Sequence, residues 1–203
     1  MSLEMWNRRF ADAGDTFVFG ERPNHFLAAE AHRLPAAARV LSVADGEGRN
    51  SVWLAALGHH VHAVEFAPAA LAKAVAFAGR LGVEVEFERA DVLDWAWPEA
   101  RYDAVVAIFV QFATPAERPR LFDRLRSAVK PGGLLLLHGY TPKQVEYGTG
   151  GPPDPSHMYT ESMLAEAFAD MEILSLRAYE QAIHEGSGHD GRSALIDLVA
   201  RRR

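Results

Sequence analysis

The sequence contains no cysteine, which excludes disulfide bonds, thiolate metal sites and a cysteine nucleophile. It has no apolar run long enough to cross a membrane, and its first residues lack the apolar core of a signal peptide. It also has no excess of positive charge, because 21 Lys and Arg residues oppose 27 Asp and Glu residues, giving a formal net charge of -6. These absences predict a cytoplasmic protein that binds neither membranes nor nucleic acid.

The 203 residues are 49% hydrophobic, which is enough to bury the core of one domain. From Val40 onward, short apolar segments alternate with segments of helical periodicity, a pattern that predicts a doubly wound α/β fold. The predicted strands are residues 39–43, 60–64, 83–88, 102–108 and 133–139, then 172–179 and 193–200 as a hairpin at the sheet edge. The predicted helices are residues 50–57, 69–81, 116–129 and 160–168. Residues 141–159 are rich in Gly and Pro and are predicted to form a loop or lid.

The segment VLSVADGEGRNSVWLA, residues 40–55, joins a predicted strand to a predicted helix through Gly46 and Gly48. Glycines let the backbone approach a ligand, and the start of a helix offers free N–H groups. Glu65 ends the next predicted strand, about 20 residues later, where a carboxylate accepts hydrogen bonds from ribose hydroxyls. The two signals predict an adenosine-containing cofactor, although glycines that merely form a tight turn are the alternative.

Five segments resemble the class I S-adenosylmethionine-dependent methyltransferases: the glycine motif, VEFAPAAL, the triplet ADV at residues 90–92, YDAVVAIFVQF and VKPGGLLLLHGY. At either side of them, WNRRFADAGDTFVFGERPNHFL, EYGTGGP and ALIDLVARR are similar to the small tellurite-resistance and thiopurine-type branch. The resemblance implies a Rossmann-like methyltransferase fold with a seven-stranded, mostly parallel sheet whose last strand is antiparallel. It also implies one methyltransferase domain over residues 1–203, with residues 1–35 covering cofactor and substrate, and S-adenosylmethionine as the cofactor.

The resemblance assigns residues to that cofactor. Gly46 and Gly48 lie beside its methionine part, Glu65 binds the ribose, and Asp91 and Val92 bind the adenine. The predicted cofactor-binding residues are Ser42, Ala44, Gly46, Gly48, Asn50, Glu65, Phe66, Asp91, Val92, Ile108, Phe109, Gly20 and Asn24. The chain departs from the family at Ser42, where an acid is usual, and at Ala44, where glycine is usual.

Most of the residues predicted to act on the methyl acceptor lie in the late part of the chain. His184 and Arg192 match positions at which the branch carries a proposed base and an anion-holding arginine, so the resemblance makes them catalytic. Solvated residues of a surface hairpin are the alternative for both. Phe112, Tyr147 and Thr149 are predicted to line the substrate pocket, and the acceptor is a small thiol or a chalcogen oxyanion such as tellurite. No metal is predicted, because the histidine spacing fits no known ligand pattern.

Two other functions fit the same residues. A nicotinamide-dependent oxidoreductase also uses a glycine turn followed by an acid such as Glu65, although a full GxGxxG is missing here. A non-catalytic adenosine-ligand-binding protein is the second alternative, in which Ser42 and Ala44 mark a lost active site. The sequence leaves the oligomeric state open.

Overall fold

The computed structural model describes residues 2–203, and its seven strands form one sheet. The strands are β1 (Arg39–Val43), β2 (His60–Glu65), β3 (Glu86–Arg89), β4 (Tyr102–Ile108), β5 (Val129–Tyr140), β6 (Glu172–Glu185) and β7 (His189–Arg201). Their order in the sheet is β3-β2-β1-β4-β5-β7-β6. Only β7 runs antiparallel to its neighbours, β5 and β6. The predicted fold class, including the antiparallel last strand, is confirmed.

Helices fill the intervals between the strands. They are α1 (Leu3–Asp12), α2 (His25–Glu30), α3 (Arg49–Ala56), α4 (Pro68–Leu81), α5 (Arg118–Ala128) and α6 (Glu161–Ala167). Pro68 opens α4 because its fixed φ suits the first helical turn, and Gly82 ends that helix with a left-handed φ of 66°. The Thr160 hydroxyl caps α6 by accepting a hydrogen bond from the Met163 backbone N–H at 3.2 Å. No helix within residues 2–203 has the length and apolar character needed to cross a membrane.

The central strands carry apolar side chains on both faces, as expected for strands covered by helices on two sides. On β1, Leu41 and Val43 face one apolar cluster, while Val40 faces the other. The same alternation runs along β4 and β5, where the apolar runs AVVAI and LLLL occur. Both faces of the sheet are therefore covered, and a doubly wound fold places its ligand at the carboxyl ends of such strands, here β1, β2 and β4.

The prediction for residues 180–192 as a connector between two short strands is wrong. Both strands continue through this segment, β6 to Glu185 and β7 from His189, and only residues 186–188 form the turn. In addition, β7 lies inside the sheet between β5 and β6, so of the two hairpin strands only β6 lies at an edge of the sheet. The extension of both strands is rich in polar and exposed residues, and therefore lacks the apolar alternation by which a strand is recognised in sequence.

Candidate functional site

A cavity of about 500 Å³ opens at the carboxyl ends of β1, β2 and β4. Its volume lies in the range typical of small-molecule sites. Ten residues predicted for cofactor or substrate line it: Ala44, Gly46, Asn50, Glu65, Phe66, Asp91, Val92, Ile108, Phe109 and Phe112. The structure thus brings residues from four separate segments of the chain to one place.

The turn after β1 bends sharply into the cavity. Ala44 and Gly46 have φ angles of 51° and 63°, both in the left-handed region. An alanine tolerates this region at a greater energetic cost than glycine, so the conformation of Ala44 is one that glycine adopts more readily. Phe109, just after β4, also has a left-handed φ of 56° and lines the same cavity. Two of the four non-glycine residues with a left-handed φ within residues 2–203 therefore line this cavity.

Gly48 was predicted to lie beside the cofactor, but it does not line the cavity. It has a φ of 87° and lies against α4, where an added Cβ would come within 2.8 Å of the Ala74 Cβ and 3.1 Å of its Cα. Gly46 has more space, because its added Cβ would meet only the far end of Phe10, at 3.8 Å. Gly48 therefore serves close packing of helix on helix, and Gly46 is the glycine that faces the ligand cavity.

Glu65 is buried and held by the backbone on both sides. Its Oε2 accepts a hydrogen bond from the Gly46 N–H and its Oε1 accepts one from the Ala67 N–H, each at 2.8 Å. Burial raises the pKa of the Glu65 carboxyl, and these N–H donors oppose the rise. Each oxygen has a further lone pair for a ligand, so the carboxylate can accept from two hydroxyl groups of a ribose.

Asp45 is a buried acid in the cavity wall. Its two oxygens accept hydrogen bonds from the hydroxyls of Ser42, at 2.6 Å, and Ser51. Burial raises its pKa, and within residues 2–203 no Lys or Arg forms an ion pair with it. Ser42 itself lies behind Asp45 and does not line the cavity. Asp45 thus brings a carboxylate to the cavity wall, whereas Ser42 does not reach it.

Glu185, at the end of β6, holds the segment that precedes α2. Its carboxylate accepts hydrogen bonds from the Asn24 side chain at 3.1 Å, the His25 backbone at 3.2 Å and the His25 ring at 3.0 Å. It also pairs with Arg49 at 2.7 Å. Burial opposes ionisation of Glu185, but the His25 hydrogen bond and the Arg49 charge outweigh it and hold its pKa well below the usual range. Asn24, predicted to bind cofactor, instead serves this junction.

Replacing Glu185 by glutamine should lower the free energy of unfolding by about 3 kcal/mol at pH 7, because Arg49 loses its buried partner. The depressed pKa of Glu185 stabilises the fold above pH 4.5, its ordinary value, and this stabilisation is lost as the pH falls further. The difference in unfolding free energy between wild type and Glu185→Gln should therefore shrink by about 2 kcal/mol between pH 7 and pH 3. Urea unfolding at both pH values measures it.

The matched control is Glu172→Gln, which changes an exposed carboxylate on the same strand. Its unfolding free energy should stay within about 0.5 kcal/mol of wild type at both pH values. A gap for Glu185→Gln that does not change with pH would contradict the electrostatic account.

Residues 2–30 cover the cavity from one side. Trp6, Arg9, Phe10 and Phe19 line it, and the Arg9 guanidinium lies 5.1 Å from the ring centre of Trp6 and 5.2 Å from that of Phe19. Gly20, predicted to bind the cofactor, instead packs on the turn between β6 and β7. The cover thus supplies aromatic rings and one cation to the cavity.

His184 and Arg192 lie outside the cavity lining. The His184 side chain is 76% exposed and its ring contacts the Asp190 carboxylate at 2.5 Å. The Arg192 side chain is 67% exposed and pairs with Glu180 at 2.8 Å. The structure therefore does not bring this predicted catalytic pair to the reacting end of the site.

Tyr147 and Thr149, predicted for the substrate pocket, also lie outside the lining. The Tyr147 hydroxyl donates to Glu180, and the Thr149 hydroxyl donates to the Arg192 carbonyl oxygen at 2.6 Å. From the same loop, Gly151, Pro152 and Pro153 do line the cavity. This loop thus reaches the cavity through residues that follow the predicted ones.

His189, the first residue of β7, is a further functional candidate. It is 7% exposed and lines the cavity beside Phe109 and Tyr140. Residues alternate across β7, so that His189 and Ser193 are buried whereas Asp190 and Arg192 are exposed. His184, on β6, pairs with the exposed Asp190 across the hairpin, so the two-residue period together with this register distinguishes His184 from His189. Among residues 2–203, no three His, Asp or Glu side chains are grouped to hold a metal ion.

Residues 40–133 match a family model described as a methyltransferase domain. A demethylmenaquinone methyltransferase from Thermus thermophilus is 34% identical over 106 residues, which cover 51% of this chain and 48% of that protein. The chain spans about half the length of the curated relatives that it matches.

Two solved structures share the fold. One, from work on the conversion of a disulfide bond into a thioacetal group during echinomycin biosynthesis, has a TM-score of 0.77 at 20% identity and covers 98% of this chain and 92% of that chain. TehB from Haemophilus influenzae has a TM-score of 0.73 at 19% identity, covering 98% of this chain and 67% of that chain. Residues 40–133 thus match a methyltransferase domain, and the family model together with the fold implies S-adenosylmethionine as the cofactor.

Proposed function

We propose that this chain transfers the methyl group of S-adenosylmethionine to a small-molecule acceptor. The observation that carries the proposal is the single cavity that joins Gly46, Glu65 and Asp91 at one end to His189 and Tyr140 at the other. When bound, the cofactor supplies a methyl group activated by a positively charged sulfur. Methyl transfer is an in-line displacement, so the protein contributes mainly by fixing two reactants in the correct orientation.

The cavity residues suit each part of the cofactor. Glu65 would hold the ribose hydroxyls, and Asp91 and Val92 would hold the adenine. The buried Asp45 would bind the amino group of the methionine part, and Arg9 would bind its carboxylate. Buried charges need partners of opposite sign, and the cofactor carries both signs at this end.

Replacing Asp45 by asparagine tests its role toward the amino group. The variant keeps the size of the side chain and removes the charge, so cofactor affinity should fall about 10- to 100-fold, since a charge-assisted hydrogen bond contributes about 1.5–3 kcal/mol. Stability of the free protein should not fall by more than about 1 kcal/mol, because an unpaired buried carboxylate is itself unfavourable. Isothermal titration and urea unfolding measure the two quantities.

The matched control is Ser42→Ala, which removes one hydroxyl behind Asp45 while leaving the charge. Its affinity should fall less than that of Asp45→Asn. Equal or greater loss in Ser42→Ala would contradict a direct role for Asp45 and return the amino group to the serine.

The proposed acceptor is a thiol or a chalcogen oxyanion such as tellurite. The segments on either side of the central domain support it by their likeness to the tellurite-resistance and thiopurine-type branch, and one structural neighbour comes from a study of sulfur chemistry. Of the predicted cover, residues 1–35, residue 1 lies outside the described residues; residues 2–35 would cover a single methyltransferase domain, and residues 141–159 would act as its lid. Both would exclude water from the displacement.

Binding and turnover together test the proposed function. Thermal melts with S-adenosylmethionine, S-adenosylhomocysteine and NADH should show stabilisation by the first two only, about 2.7 kcal/mol at a hundredfold excess over the dissociation constant. Methylation of thiols, tellurite and selenite is then followed by mass spectrometry. Stabilisation by NADH alone would indicate an oxidoreductase, and cofactor binding with no turnover would indicate a non-catalytic binding protein.

A further inference from the structure

His189 is enclosed by aromatic rings at the acceptor end of the cavity. Its ring centre lies 4.1 Å from that of Phe109, 4.5 Å from that of Phe19 and 5.7 Å from that of Tyr140. His189 is only 7% exposed, yet it still lines the cavity. These rings come from the cover, the end of β4, the end of β5 and the start of β7.

One ring nitrogen of His189 has no partner. Its Nδ1 is completely buried and forms no hydrogen bond within residues 2–203. An unpartnered buried polar atom costs about 1–3 kcal/mol, so folded proteins retain few of them, and often for catalysis. Nδ1 itself is shielded from the cavity, so a ligand there would bond to the imidazole through Nε2.

The surroundings keep the imidazole neutral. Burial and the positive charge of Arg49 lower the pKa of His189 to about 3, His138 and Arg9 act in the same direction, and Glu185 opposes them. A neutral imidazole has one nitrogen lone pair that accepts a proton or a hydrogen bond. His189 therefore retains this lone pair throughout the physiological pH range.

We propose that His189 is the catalytic residue of the acceptor side, receiving the proton of a thiol acceptor during methyl transfer. This inference rests on the proposed function. The sulfur lone pair of the thiol forms the new bond to the methyl carbon, and the old carbon–sulfur bond breaks with its electron pair staying on the cofactor sulfur. The S–H bond also breaks, and its proton passes to the His189 imidazole and then to water.

A weak base is sufficient for this step. A sulfur atom that gains a bond to carbon loses electron density, so its proton becomes far more acidic than that of the free thiol. The aromatic rings of Phe19 and Phe109 also suit a polarisable sulfur, which makes favourable contacts with ring edges. His184 lacks such surroundings, because its ring is exposed and contacts Asp190.

Two thiol probes separate proton acceptance from packing. 2-Mercaptoethanol is largely protonated at pH 7, whereas 2-nitro-5-thiobenzoate is already a thiolate and has no proton to transfer. His189→Phe, which keeps a flat ring and removes both nitrogens, should lower kcat for 2-mercaptoethanol about 100-fold. It should leave kcat for 2-nitro-5-thiobenzoate within about threefold of wild type. The matched control, His184→Phe, should change neither.

Two measurements do not depend on turnover. Cofactor affinity of His189→Phe, measured by isothermal titration, should stay within about threefold of wild type. In wild-type protein saturated with S-adenosylhomocysteine, 2-mercaptoethanol should shift the ring nitrogen resonances of His189 in NMR spectra and leave those of His184 unchanged.

Three results would overturn the role of His189. They are equal losses of kcat with both probes, a larger loss in His184→Phe, or a cofactor-bound wild type that neither methylates 2-mercaptoethanol nor shows the ring shift. Absence of cofactor binding in the wild type would instead refute the proposed function, and the inference with it.

Discussion

Glu65→Ala is expected to weaken S-adenosylmethionine binding at least 100-fold and to lower the free energy of unfolding by about 2–4 kcal/mol. The affinity falls because the carboxylate that would accept from the ribose is lost. The stability falls because Gly46 and Ala67 lose the acceptor of their N–H groups, and buried donors without partners are costly. Isothermal titration and urea unfolding at pH 7 measure the two effects.

Glu65→Gln separates these effects. The amide keeps one oxygen for a backbone donor but points its NH₂ group at the other, so stability should fall less than in Glu65→Ala. Affinity should still fall at least 10-fold, since a neutral amide is a weaker acceptor for ribose hydroxyls. Wild-type affinity in both variants would refute the ribose assignment, and a stable Glu65→Ala would refute the backbone role.

Gly48→Ala is expected to destabilise the free protein by about 3 kcal/mol. The new Cβ would lie 2.8 Å from the Ala74 Cβ, and the backbone would have to hold a left-handed φ with a side chain attached. Crowding of packed elements costs about 1–3 kcal/mol and the left-handed conformation about 1–2 kcal/mol. Urea unfolding of the ligand-free protein gives the value directly.

Gly46→Ala is the matched control, because it has a similar φ but only an ordinary contact, 3.8 Å from Phe10. Its stability should fall by about 1 kcal/mol, whereas its cofactor affinity should fall more than that of Gly48→Ala because its Cβ lies at the cavity. If the two variants reversed this order, the division between a packing glycine and a ligand-facing glycine would be wrong.

The sequence was sufficient for the sheet because its apolar runs are buried on both faces and therefore stand out. It was not sufficient for residues 180–192, where polar side chains cover an extended hairpin. Strand register decides which histidine points inward there, and the register of β7 depends on pairing with β6 and β5. The sequence therefore predicted His184, and the structure brings His189 to the cavity.

The cofactor residues divide in the same way. Glu65 was predictable because its position at a strand end fixes its direction. Asp45 was not, since its orientation depends on the hydroxyls of Ser42 and Ser51, which only the folded turn brings to it. Gly48 fits the spacing of the glycine motif, but it packs against α4. The spacing alone does not distinguish a glycine that packs against a helix from one that faces the cavity.

Glu185 has a consequence for the order in which the molecule assembles. It bonds Asn24 and Arg49, which are 161 and 136 residues away along the chain. Such distant pairs form only after the intervening strands have docked, because closing a long loop is entropically unfavourable until other contacts offset it. We therefore expect the cover over the cavity to be among the last parts of the molecule to form, after the sheet to which Glu185 belongs.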